Sequence, residues 1–158
     1  MADYCTAADM ELIYGPKNIK RWADLDNDEV AATIAARKAW ACELATEFVN
    51  SRLLNGPYEI PFTSVPTMIV NLTAMYAGIL LYDGRQVVSS EETHDQVSRQ
   101  RKDFDRYLRQ IFKGQLKLLD PTSGDQLTIT SKNYPFTVAD DGTVSSSSDA
   151  DDACPECC

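Results

Sequence analysis

The apolar residues of this chain recur mainly at helical spacing. Between Asp28 and about Leu54, Val30, Ile34, Ala41, Leu44 and Phe48 return at steps of three, four and seven, which places them on one helix face. Ala31, Ala32, Ala35, Ala36, Ala39 and Ala45 fill much of the remainder, and alanine is the best helix former. No Gly or Pro interrupts the run before Gly56-Pro57. The pattern predicts one helix of roughly 40 Å at 1.5 Å rise per residue, with the other elements packed against it. The polar turn Asp24, Asp26, Asn27 and Asp28 is expected to cap it and to place negative charge at its N-terminus.

Three further helices follow from the same reading. Thr6, with Asp9 three residues on, marks the start of a short helix with Met10 and Ile13 on its apolar side. Gly15-Pro16 stops it. Asn18 to Ala23 is expected to add a helical turn, with Ile19 and Trp22 inward. Three prolines between Gly56 and Pro66 exclude helix and disfavour a central strand, so Tyr58, Ile60 and Phe62 are expected to anchor an extended loop. The third helix is predicted from Pro66, at its first position, to Tyr82. It has no charge before Asp83 and is expected to be the most buried. Gly78 on it would admit another backbone, and Asp83-Gly84 would end it. The fourth runs from a Ser89 or Ser90 cap to about Lys113, with Val97, Phe104, Leu108 and Ile111 inward and Gly114 as its stop. Gln126–Thr130 and Tyr134–Val138 are expected to be two short strands joined by Ser131-Lys132-Asn133, too short to be stable alone.

Composition divides the chain unevenly. An apolar fraction of 44% suffices for a core, and no apolar run is long enough to span a membrane. The N-terminal residues lack a basic-then-apolar pattern, so no signal peptide is expected and folding is expected in the cytosol. Six acids and no base follow Ala139, while 18 acids and all 15 bases precede it. The net charge of −9 is thus about −3 on the body and −6 on the tail. A near-balanced body lacks the basic excess of a general nucleic-acid binder. The Ser/Asp-rich tail cannot bury a core and is expected to be disordered.

Few residues offer chemistry. Arg99, Lys102, Arg106, Arg109 and Lys113 form a basic stripe on the outer side of the fourth helix, suited to an acidic partner or to phosphates. The same spacing suits a merely solvated face, because Asp95–Arg99, Arg99–Asp103 and Asp105–Arg109 stand four apart and can pair. Cys154, Cys157 and Cys158 supply three thiols, and a structural zinc usually needs four ligands. A fourth would have to be Cys5, His94 or a residue of another subunit. Cys42 reads as packing. His94, the only histidine, has no nucleophile motif beside it and reads as a surface residue. No Gly-rich phosphate loop or facing carboxylate pair is present. No cofactor, metal, catalytic role or membrane association is expected.

Tyr4-x-Thr6-x-x-Asp9-Met10 with Tyr14-Gly15, Ala41 through Arg52-Leu53 with Pro57-Tyr58 and Pro61, Tyr76 with Leu80-Leu81-Tyr82, and Tyr107-Leu108-x-x-Ile111-x-x-Gly114 resemble the phage head–tail connector (adaptor or head-completion) family. The resemblance spans about residues 3–119. It departs from the family at Phe48 and Leu54, near which an acid and a tyrosine are usual. It implies a mainly α fold: a four-helix connector-type bundle with one very long helix over residues 1–119. An extended or short-β arm (120–138) and a disordered acidic tail (139–158) would follow. It also implies a homo-oligomeric ring, commonly of twelve, at the head–tail junction of the virion and assembled in the bacterial host cytoplasm. Such a ring docks beneath the portal protein, extends the channel for duplex DNA and receives the tail or the next connector. An acidic protein suits a channel that lets DNA slide without phosphate contacts. A head-to-tail ring needs two complementary surfaces per subunit. The basic stripe is a candidate for one of them, with an acidic patch or the tail as the other. Leu127, Ile129, Tyr134, Phe136 and Val138 are candidates for a docking arm that adds strands to a partner. The competing reading is a small helical DNA-binding or regulatory protein that uses the fourth helix.

Overall fold

Five helices make up the body of the computed structural model, which describes residues 3–85, 91–127, 136–138 and 144–146. They are α1 (Ala7–Tyr14), α2 (Pro16–Ala23), α3 (Ala31–Leu53), α4 (Thr67–Arg85) and α5 (Glu91–Phe112). The expected extra turn is thus a full eight-residue helix, α2, and the helix count rises from four to five. Gly15 at φ 83° breaks the helical run between α1 and α2, and Pro16 starts α2 where a missing N–H costs nothing. The expected cap of α1 forms completely. Asp9 N–H donates to the Thr6 hydroxyl, and Asp9 Oδ2 accepts from the Thr6 N–H at 2.7 Å.

The long helix differs from expectation in three ways. It spans 23 residues against 22 in α5, so the two are nearly equal in length. It starts at Ala31 after Val30, with no side-chain cap. The polar turn before it is occupied elsewhere. Arg37 bonds Asp26 at 2.7 Å and the Ala23 carbonyl at 3.2 Å, while Arg85 donates to the Asp24 carbonyl and to Asn27. The turn therefore ties the end of α2 to α3 and α4. The buried face is also rotated: Ile34, Ala41, Cys42, Ala45, Thr46, Val49 and Leu53 are inside, whereas Val30 is exposed and Leu44 and Phe48 are half-buried.

α4 lies at the centre and, like α3, touches every other helix. It buries Ile69, Leu72, Ala74, Ala77, Ile79 and Leu81, as its lack of charge predicts. The Pro66 carbonyl caps it by accepting from Ile69 and Val70, so the helix starts one residue later than expected, and it continues through Gly84 to Arg85. At Gly78 the close neighbour is a side chain rather than a backbone. A Cβ there would stand 2.1 Å from the Tyr14 ring.

Two hydrophobic clusters fill the bundle. One joins Met10, Tyr14, Ile19, Trp22 and Ile34 to Ile79, Leu81 and Val97. The other joins Tyr4, Val49, Leu53, Tyr58, Ile69, Leu72, Phe104, Leu108, Ile111 and Leu118. The first half of α3 meets the second half of α4, which makes these helices antiparallel, and α5 reverses again beside them. Between the clusters Tyr76 is stacked on both sides, 4.4 Å from Phe48 and 4.8 Å from Phe104, linking α3, α4 and α5.

The segment from Leu54 to Pro66 has no helix or strand, as expected, and Tyr58 is buried. After Gly114, residues 118–127 fold back as a small hairpin. Leu127 N–H bonds the Leu118 carbonyl at 2.9 Å, Leu119 pairs with Gln126, and Asp120 closes the turn. Gln126 therefore pairs backwards rather than with residues 134–138. Phe136–Val138 (β1) does form a strand, but it pairs antiparallel with Val144–Ser146 (β2), inside the expected disordered tail. Residues 128–130, and the expected cap at Ser89 or Ser90, lie outside the described residues.

Candidate interaction surface

α5 shows how one amphipathic sequence builds a surface. Val97, Phe104, Leu108 and Ile111 are buried as predicted, which turns Arg99, Lys102, Arg106, Arg109 and Lys113 to solvent. The i,i+4 ion pairs that a merely solvated face could form are absent among the described residues. Arg106 instead reaches Asp103 at 2.8 Å and lies over the Tyr107 ring. Arg99 Nε donates to the Asp95 carbonyl at 3.3 Å, not to its carboxylate. Lys102, Arg109 and Lys113 form no ion pair with a described residue, so their charge faces outward. Arg101, one step off the stripe, is held by both oxygens of Asp83 on α4, at 2.7 and 2.8 Å.

A groove of about 630 Å³ runs beside the hairpin, between Met68, Leu72 and Met75 on α4, Tyr107 on α5, and Leu118 and Leu119. Tyr58 holds its far wall. The tyrosine hydroxyl donates to the Leu116 carbonyl at 3.3 Å and accepts from Leu118 N–H at 3.0 Å, satisfying two backbone groups at once. Asp120 accepts from the N–H groups of Thr122 and Ser123, which hold its carboxyl below the usual range. Of the expected arm, Leu127 is half-buried at the end of this hairpin, and Phe136 and Val138 lie in β1. Ile129 and Tyr134 lie outside the described residues.

A second groove of about 750 Å³ opens between α1, α2 and the start of α3, with Cys5 and Cys42 on its floor. Both thiols are free and 3% exposed. The two thiols act on each other: the neighbouring Cys42 together with burial pushes the Cys5 thiol up, while Cys5 pulls Cys42 down. Cys5 is thus engaged inside the fold. His94 is exposed, with Nδ1 3.4 Å from the Tyr82 hydroxyl. Among the described residues no group of three His, Cys, Asp or Glu could hold a metal, and Cys154, Cys157 and Cys158 lie outside them.

The sequence reading missed several exposed apolar side chains, among them Trp40 at 54% and Leu12 at 85%. Trp40 was detectable once the buried face of α3 is centred on Ala41, Cys42 and Ala45, because the opposite side then runs Ala36, Trp40, Glu43, Glu47.

A family model described as Bacteriophage Mu, Gp36 matches residues 4–134. The chain belongs to this phage family. The match begins at Tyr4, whose hydroxyl bonds Asn50 at 2.6 Å and accepts from Phe62 N–H, and covers all five helices and the hairpin. Membership in the Gp36 family points to a phage structural or morphogenesis protein. No curated protein matches. No described helix is long and apolar enough to cross a membrane.

Proposed function

We propose that this protein is a virion adaptor without catalytic role: a ring of identical subunits under the portal that joins head to tail and extends the DNA channel. The observation that carries the reading is the Gp36 family match over residues 4–134 of a chain whose helical outline and motifs resemble head–tail connectors. The surface supports it. Lys102, Arg109 and Lys113 face outward without an ion pair to a described residue, while the chain as a whole is acidic at −9. That combination suits attraction between protein surfaces more than adhesion to passing duplex DNA. The apolar groove beside the hairpin lies where the candidate arm begins, so docking of residues 127–138 on a partner is part of the reading. The portal above and a tail or further connector protein below are the proposed partners.

The test is the mass and shape of the purified full chain, alone and mixed with the portal protein of its phage. A ring, or a stoichiometric complex with portal, supports the reading. A monomer or dimer that ignores portal removes it. Truncation after Asp125 examines the arm, and unchanged portal binding would eliminate it from the account. The outward lysines and arginines also favour a second reading, duplex DNA binding through α5. A salt-sensitive shift of duplex DNA would support that reading, and the adaptor reading expects little or none.

A further inference from the structure

The bases of α3 are occupied on its inner flanks, and its outer side is left apolar and acidic. Arg37 is held by Asp26, and Lys38 by Glu11 at 2.6 Å. Arg52 lies over the Phe48 ring, 5.0 Å from its centre. Facing solvent along one line are Ala36, Trp40, Glu43 and Glu47, at steps of four, three and four. Glu43 and Glu47 form no ion pair with a described residue. Trp40 leaves an indole half in water, which costs burial that a large aromatic would otherwise gain.

We infer that this face of α3 receives the basic stripe of α5 from a second copy of the chain. The inference rests on the adaptor reading and names the two surfaces that a ring of such subunits would join. The complementarity has two parts. Steps of three and four also space Lys102, Arg106, Arg109 and Lys113, so the basic row can lie along the α3 row, with Glu43 and Glu47 meeting the unpaired bases and Trp40 beside them. Trp40 offers a ring face to a guanidinium, and Trp and Arg are the residues most enriched where binding energy concentrates. Because the two surfaces differ, the contact is head-to-tail, and repetition closes a ring or extends a filament. One helix face against another covers only a few hundred Å², short of the roughly 800 Å² per partner of a stable pair. The contact therefore gains from closure of the ring or from a template such as portal.

Reciprocal charge reversal in the full chain tests it. One variant carries Glu43→Lys and Glu47→Lys, the other Lys102→Glu and Arg109→Glu. All four sites are exposed, so helix content by circular dichroism should stay at the wild-type level. Assembly is read by sedimentation, alone at high concentration and with portal. Each variant alone should need at least about tenfold more protein than wild type to assemble, since like charges then meet. An equimolar mixture of the two variants, or both reversals in one chain, should recover assembly. Trp40→Ala should weaken assembly without altering helix content. Wild-type assembly by both reversed variants, or no recovery on mixing, overturns the inference and leaves the adaptor reading standing. A wild-type chain that associates neither with itself nor with portal overturns both. Loss of duplex DNA binding on reversal of α5, with assembly unchanged, would make the stripe a nucleic-acid surface and also overturn the inference.

Discussion

The two hydrophobic clusters, at opposite ends of the bundle, are fastened by different means. Around Tyr14, helices close directly on helices. The Tyr14 ring lies where Gly78 has no side chain, Trp22 stands edge-on to both Tyr14 and Tyr82 at 5.2 Å, and Ala41, Ala45, Ala74 and Ala77 keep the axes near each other. Around Tyr58, irregular chain closes on helices. There the buried backbone of the 54–66 and 115–127 segments has no helix to satisfy it, and tyrosine hydroxyls do so instead. One end therefore depends chiefly on volume and the other chiefly on polar satisfaction of irregular backbone. The elements proposed to contact other proteins at the groove lie at the second end.

Substitutions that address one means and spare the other can break this contrast. The largest effect is expected from Gly78→Ala. A methyl group 2.1 Å from the Tyr14 ring forces the ring or α1 to move, and overpacking of this kind costs about 3 kcal/mol. Thermal unfolding would register it as a fall in the midpoint, and a fall under about 0.5 kcal/mol would show that the first cluster is looser than described. Next comes Tyr58→Phe. The ring volume remains, but the buried Leu118 N–H loses its acceptor, at a cost of about 2 kcal/mol. Amide exchange should rise at Leu118 and Leu127 while the amides of α1 and α2 keep their protection. A uniform rise across both ends would erase the distinction. Thr6→Ala is expected to cost about 1 kcal/mol, because the cap of α1 loses its side-chain acceptor. Exchange should increase in the first turn of α1 and not in the hairpin.

How much of this could be read in advance depended on contrast between neighbours in the chain. On α5, large apolar residues alternate with charged ones, so the inward face and the exposed stripe were both legible. On α3, alanine supplies no contrast. Ala41, Ala45 and Cys42 are buried while Ala36 and Ala39 are exposed, and the inferred face was therefore rotated, which hid Trp40 on the outside. Pairings across long sequence separation had no local signal at all. Tyr14 with Gly78, Cys5 with Cys42, and Arg85 with the Asp24 turn arise only when the helices are in place. The same applies to the hairpin, where Gln126 pairs with Leu119 seven residues earlier in preference to a later segment.

The smallest effect at neutral pH belongs to the Tyr14 hydroxyl, whose larger contribution is felt in alkaline solution. Burial pushes the Tyr14 hydroxyl well above the usual tyrosine range, with nearby Asp83 adding to the shift and Arg101 opposing it. The folded-state pKa thus lies above the unfolded value of about 10. The neutral phenol contributes stability that is fully present below pH 10 and is lost as the pH rises through the folded value. The slope from this group should be near zero at neutral pH and approach about 1.4 kcal/mol per pH unit above 10. Tyr14→Phe should remove that part of the slope, and at neutral pH it should cost about 1 kcal/mol for the bond to the Met75 carbonyl. Urea unfolding at several pH values measures both. An unchanged alkaline slope in Tyr14→Phe would mean that this hydroxyl meets water in the native state, and the first cluster would then be open where the Gly78 contact makes it tight.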